Sequence, residues 1–301
     1  MTQQNDEKEK KVRIVARGDY TDTPENKEIK IEEGIEEIAE GAFSGFELLE
    51  AVYLPRSLKR ISASAFSGCK SLRRVVIEHG LLEISDEAFS SCTSLCGISI
   101  PDTVRRIGEG AFEGCVSLSS LKLSESLYSI GASAFAYCFN LSDVIIPDSC
   151  AIIEISAFMC CFSLEAVKLS ANLALISDAL FEGCRSLKTV DLPAKLLKIS
   201  RSAFSGCASL SEIILPVMLK EIGLDAFSGC TSLRRIAIPK GIAAIEGGDI
   251  FCGCDSLFEI SFGGNEDKWR SLLEGGELKV QKSDLTYIIP KINCLDLKNE
   301  I

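Results

Sequence analysis

In 301 residues the sequence has one histidine, one tryptophan and three methionines. With His79 alone, motifs that bind zinc through paired histidines are excluded, and a Ser-His-Asp or Cys-His nucleophile would have to use that residue. Nothing around His79 marks a strained nucleophile turn, so it reads as a surface histidine just after a strand. No apolar run approaches the roughly 18 residues that cross a bilayer. Met1 to Lys11 is polar and charged, with no apolar segment behind it. No membrane span or secretory leader is therefore expected, and the location reads as cytoplasmic. Lysine and arginine number 32 against 43 aspartates and glutamates, a net charge of -11. A surface of that sign repels phosphate backbones, so nucleic acid is not the expected partner.

What the chain does have is apolar content, 47%, and a conspicuous spacing. Phenylalanine stands at Phe43, Phe66, Phe89, Phe112, Phe135, Phe158, Phe181, Phe204 and Phe227, each 23 residues after the last. Phe251 follows after 24, the extra residue falling within Glu246–Asp249. Three positions beyond the phenylalanine comes a cysteine, from Cys69 to Cys254, with Phe46 in its place in the first repeat. Three further on is a leucine, from Leu49 to Leu257. Two aliphatics spaced by one residue follow, such as Ile98 and Ile100, often with a proline after them, as at Pro101 and Pro147. A second apolar pair, such as Val104 and Ile107, closes the unit.

Two aliphatics one residue apart place both side chains on one face of a short strand, and the proline ends that strand. The Phe-x-Gly-Cys-x-Ser-Leu segment, apolar at three-residue steps, predicts a tight helical or 3₁₀ turn. Each unit is then one coil that cannot bury its apolar side alone. Stacking the coils buries it and aligns the strands into a parallel sheet. The cysteine column falls among buried positions, so its thiols are expected to be reduced and structural, not a disulfide scaffold. None of Cys96, Cys150, Cys160, Cys252 and Cys294 makes a Cys-x-x-Cys pair, so no metal site is expected. Gly108-x-Gly110-x-x-x-Gly114 has phosphate-loop spacing, but its glycines belong to the repeat and lie in the wrong context.

The segments Ala111-Phe112-Glu113-Gly114-Cys115-Val116-Ser117-Leu118 and Ile100-Pro101-Asp102-Thr103-Val104-Arg105-Arg106-Ile107-Gly108 resemble the BspA-like class of leucine-rich repeats. The likeness covers about residues 29–262. It implies an α/β repeat solenoid: a right-handed leucine-rich-repeat arch of about ten repeats, with a parallel β-sheet on the concave face and short helical or 3₁₀ turns opposite. The asparagine of other leucine-rich repeats is replaced, as by Ser57, Gly80, Thr103, Ser126 and Ser149, with Asn172 matching. The resemblance also implies the adhesin-type role of microbial surface proteins that bind host or bacterial proteins, and brings no catalytic residues. Residues 1–28 read as a polar segment and N-terminal cap, where Val12, Ile14 and Ala16 alternate and Ile29 and Ile31 begin a strand. Residues 263–301 read as a C-terminal cap. There Asn265 caps a short helix that folds Trp269 and Leu272 over the last coil, and Leu285 to Ile289 could add a strand.

If the paired aliphatics point inward, the residues between and before them point out. The candidate protein-binding face is then Tyr53, Arg74, Val76, Lys122, Asp143, Ile145, Lys168, Asp191, Glu212, Ile214 and Arg235. Tyrosine and arginine are enriched where interfaces hold their energy, and Tyr53, Arg74 and Val76 make a mixed aromatic, basic and apolar cluster. The expected function is a non-enzymatic module that binds a protein or peptide on this face, with no cofactor. The alternative is a surface or secreted adhesin-type protein. One tyrosine and no tryptophan on the face make carbohydrate a poor ligand.

Overall fold

The structure, a computed structural model, describes residues 12–247, 250–272, 280–281, 287–288 and 291–294. Each repeat contributes one longer strand and one two-residue strand. Pairing within both ladders is parallel, and partners stand 23 residues apart, as Val52 does with Val75 and Ile61 with Ile84. Equivalent residues of successive repeats therefore lie over one another at the strand spacing of about 4.8 Å. From Arg235 to Glu259 the offset is 24, carrying the extra residue of the last repeat. Gly248 and Asp249, within the span assigned to it, lie outside the described residues.

The longer strands form three sheets. One holds five strands from Glu28–Lys30 to Ser120–Lys122, one spans Asp143–Ile145 to Thr189–Asp191, and one joins Arg235–Ile238, Glu259–Phe262 and Lys291–Cys294. On this side the repeat between the last two is joined by one isolated bridge, Ile214 opposite Ala237. The two-residue strands run as seven from Ile14–Val15 to Ile152–Ile153, then four from Leu175–Ile176 to Ala244–Ile245. The result is a parallel-sheet solenoid of about eleven turns, one more than the phenylalanine count, because Ile14–Val15 starts a coil that has no phenylalanine of its own.

Repetition makes the core a set of columns. From Phe43 to Phe251 the rings stack with centroids 4.9–5.9 Å apart and planes within 2–21° of parallel. Every cysteine from Cys69 to Cys254 in the column is buried. Its thiol donates to the carbonyl of the preceding coil's phenylalanine at 3.1–3.3 Å, as Cys69 does to Phe43. A cysteine is small and apolar enough to be buried there and still supplies a weak donor to that carbonyl.

The turn side departs from the sequence reading. Among the described residues the only helices are a 3₁₀ turn at Pro24–Asn26 and an α-helix at Glu266–Leu272. The Phe-x-Gly-Cys segments are linked turns in which N–H groups alternate in direction. Ser64, Phe66 and Gly68 donate to Asp86, Ala88 and Ser90 of the next coil, while Ala65, Ser67 and Cys69 donate back three residues to Ser62, Ser64 and Phe66. Half of the donors a helix needs are thus spent on stacking. The geometry places two residues of a turn at positive φ, as at Ser64 (52°) and Gly68 (74°). At the second of these positions Ser91 (58°), Tyr137 (61°) and Cys160 (58°) stand where other coils have glycine.

The ends are plugged. Tyr20 packs its ring 5.3 Å from Phe43, substituting for a missing preceding phenylalanine. At the other end Trp269 is buried with its ring 5.3 Å from Phe262. The Asn265 side chain accepts the Lys268 N–H at 3.0 Å, as expected of an N-cap. A strand does fall within Leu285–Ile289, but it does not extend the solenoid. Tyr287–Ile288 pairs antiparallel with Val280–Gln281, and Lys291–Cys294 continues the solenoid instead. Leu285, Asp284 and Ile289 lie outside the described residues, as does the Cys294 side chain.

A candidate protein-interaction face

On the longer strands the inward residues are core and the residues between them face out. Lys122, Asp143, Ile145, Lys168, Asp191, Glu212, Ile214, Arg74 and Arg235 are exposed. Ile145 and Ile214 expose 63% and 76% of their surface, large values for isoleucine. Tyr53 and Val76, also expected to project fully, are half-buried, because the register sets them side by side and each covers the other. Ala51, opposite Arg74, is buried. Arg74 reaches across so that its guanidinium lies 5.7 Å from the Tyr53 ring centre. That cation–π contact holds the aromatic and basic members of the cluster together.

The face is not one continuous sheet. It breaks between Ser120–Lys122 and Asp143–Ile145, and again after Thr189–Asp191. The candidate residues accordingly fall into groups. Tyr53 and Val76 line a depression of about 550 Å³ with Lys30, Glu32 and Arg56. Lys122 and Val76 share a smaller one, about 330 Å³, with His79, Ser99 and Asp102. Ile145 pairs with Lys168, and Lys168 with Asp191. Glu212, Ile214 and Arg235 line a depression of about 640 Å³ with Glu259 and Ser261.

His79 is exposed, and no hydrogen bond among the described residues joins it to Ser99 or Asp102, so the three do not form a nucleophile–base relay. Burial pushes the thiols of Cys115 and Cys254 up to about 12, which keeps them protonated and poor nucleophiles. The glycines with phosphate-loop spacing serve stacking. A Cβ on Gly108 would lie 2.5 Å from the Asp86 backbone nitrogen, and Gly110 and Gly114 take positive φ, 56° and 69°. Among the described residues no group of acids, cysteines and histidine is arranged to hold a metal ion, and no helix is long and apolar enough to cross a membrane.

Residues 13–142, 82–208 and 128–258 match the family described as BspA type leucine rich repeat region, in six copies. The chain belongs to this family. A leucine-rich repeat protein from Bacteroides ovatus is 26% identical over 95% of this chain and 88% of its own, with a TM-score of 0.49. The T. pallidum leucine rich repeat protein is 31% identical over 65% of this chain and 82% of its own, with a TM-score of 0.49. A leucine rich cell surface protein from Faecalibacterium prausnitzii is 26% identical over 82% of this chain and 81% of its own, with a TM-score of 0.45. A search of curated proteins found no match. Leucine-rich-repeat proteins as a family are not generally enzymes and generally mediate protein interactions.

Two surface features escaped the sequence reading. The first is an apolar stretch on and just before the two-residue strands, at Tyr128, Ile152 and Leu175, where earlier coils carry charges such as Arg105 and Arg106. The second lies on the turns, where the Phe139 and Phe162 rings stack at 4.7 Å and Arg185 sits 4.8 Å over Phe162. Both were legible as substitutions within a column, for example Phe139 and Phe162 where the equivalent earlier positions are Lys70 and Thr93.

Proposed function

We propose that the chain is a non-enzymatic interaction module that binds a protein or peptide on the outward face of its longer strands, the side that becomes concave in a leucine-rich-repeat arch. The observation that carries the reading is the grouping on that face. Exposed Ile145 and Ile214 are flanked by charges of both signs, and the Arg74–Tyr53 pair stands at its N-terminal end. Buried aromatic and arginine anchors within a polar surround are what concentrate interface energy. The rows of short depressions along the face suit an extended or segmental partner better than a small molecule, which needs an enclosing pocket.

Affinity capture from the source cells, with the wild type beside a Tyr53→Ala, Arg74→Glu, Ile145→Asp variant, tests this reading. A partner held by the wild type and lost by the variant, with circular dichroism unchanged, is the expected result. Equal capture by both would move the site elsewhere.

The second reading is a surface or secreted location, as in the adhesin-type role. The buried cysteine column supports it as well as a cytoplasmic one, since its thiols, hydrogen-bonded in the core, need no reducing compartment to stay reduced. Protease treatment of intact cells separates the two, because only a surface protein is cut.

A further inference from the structure

The two-residue strands carry a different pattern of charge. The residues preceding them run Arg105, Tyr128, Ala151, Ala174, Leu197 and Lys220 in successive coils. In the adjoining column, Ile152 and Leu175 stand where Arg60, Glu83 and Arg106 stand in earlier coils. Tyr128 is 55% exposed, Ile155 54%, Leu175 44% and Ile152 43%. Single exposed apolar residues are ordinary, but a contiguous group on neighbouring coils marks a docking surface.

The ladder is open at the centre of this group. On one side the Tyr128 carbonyl accepts from the Ala151 and Ile152 N–H groups at 2.9 and 3.3 Å, and on the other the Ala174 carbonyl accepts from Leu197 and Lys198 at the same distances. No equivalent bond joins Ala174 or Leu175 to Ala151, and Ile152–Ile153 does not pair with Leu175–Ile176. The Ser177 hydroxyl donates to the Ile153 carbonyl in place of the backbone. Here lies a cleft of about 520 Å³, its apolar wall made by Ala151, Ile152, Ile155 and Leu175.

Cations frame the group at both ends. Arg105 and Lys220 are exposed and take part in no ion pair of the described residues, whereas Arg106 and Lys198 beside them are paired with Glu83 and Glu221. The carboxylates Glu154 and Asp178 line the cleft itself, so negative charge stands at its centre and the two cations beyond it. Glu154 accepts the Ala132 N–H and Asp178 the Arg201 N–H, both at 3.2 Å. Arg105 and Lys220 are five coils apart, about 24 Å at the strand spacing, which an extended segment of about seven residues spans.

We propose that this cleft docks a protein segment with an apolar centre and acidic residues at both ends. Its apolar side chains cover Ile152, Ile155 and Leu175. Its carboxylates meet Arg105 and Lys220. Most of the surface of a chain of net charge -11 repels such a segment, so the two framing cations fix where and in which register it sits. The site lies on a different face from Tyr53 and Arg74 and does not depend on the function proposed for them.

The test is fluorescence anisotropy of the whole chain with a labelled synthetic peptide of alternating leucine and valine flanked by two aspartates at each end. The same peptide ended by lysines is the control. Saturable binding of the aspartate peptide is expected, with the lysine peptide at least about tenfold weaker, the scale of charge complementarity at an interface. Leu175→Asp abolishes the binding. The paired Arg105→Glu and Lys220→Glu variant, altered only at exposed positions and so expected to fold, reverses the preference toward lysine ends. Tyr53→Ala with Arg74→Glu leaves it unchanged. Equal affinity for the two peptides, absence of binding, or binding that survives Leu175→Asp would overturn the proposal. So would concentration-dependent self-association abolished by Leu175→Asp in the absence of peptide binding, which would give the patch to a second copy of the chain.

Discussion

Cys115 is fully buried and its thiol donates to the Phe89 carbonyl at 3.2 Å. Burial raises its ionisation from the ordinary 9.0 to about 12. An unfolded chain loses this proton near pH 9 while the folded chain keeps it, so the unfolded state binds fewer protons between those values. Stability is therefore intact below pH 9 and falls as pH rises toward 12, by about 1.4 kcal/mol per pH unit for this one thiol. Cys115→Ala removes the titration. At pH 7 the variant loses the weak hydrogen bond and leaves a small void, and is expected to be about 1–2 kcal/mol less stable. At pH 10 the wild type has itself lost about 1.4 kcal/mol that the variant never had, so the gap between the two closes. Urea denaturation followed by circular dichroism at both pH values reads this difference. Lysines and tyrosines titrate alike in the two proteins and cancel. Burial pushes Cys138, Cys184, Cys207 and Cys230 in the same direction, so the alkaline loss accumulates along the column. A gap that stays constant from pH 7 to pH 10 would refute the claim that the column holds neutral thiols in the core.

Three further outcomes follow from the stack. Phe135→Ala empties a ring held between Phe112 and Phe158 at 5.2 and 5.4 Å, and is expected to cost about 3–5 kcal/mol in denaturant titration. Cys160→Gly relieves a left-handed backbone at φ 58° that other coils give to glycine; a gain of about 1 kcal/mol is expected, and a loss would mean that the side chain compensates the strain. Gly108→Ala drives a Cβ to 2.5 Å from the Asp86 nitrogen, so a fall in melting temperature is expected, of several degrees if the cost reaches about 2 kcal/mol.

Much of the fold is legible in the sequence because one repeat position serves one structural role. The phenylalanine and cysteine columns and the parallel register follow from the 23-residue period, and the Trp269 plug from the helix that Asn265 caps. The turns could not. Apolar residues at steps of three suit a 3₁₀ turn and a stack of linked turns equally, and only the sideways bonds from Ser64, Phe66 and Gly68 decide between them. The breaks in the sheets were hidden too, since Val144 and Ile146, or Ile213 and Leu215, keep the strand pattern across them. Alternation within a strand named the outward face, and Ile145 and Ile214 are indeed exposed on it. It could not give the mutual cover of Tyr53 and Val76, which depends on neighbouring strands. The apolar cleft at Ile152 and Leu175 is hidden in the repeat pattern because both stand between the two buried members of the second apolar pair, Cys150 and Ile153 or Leu173 and Ile176, in a column that Arg60, Glu83 and Arg106 hold in earlier coils.

The most direct test of the interaction reading places a photo-crosslinking amino acid at Ile145 on the outward strand face and, separately, at Lys70 on the turn side, in cells that make the protein. Both positions are exposed, so each tolerates the replacement. The account predicts covalent adducts to a partner protein from position 145, absent from position 70 and lost when Arg74→Glu is added. Adducts formed only from position 70 would contradict it and put the working surface on the turns.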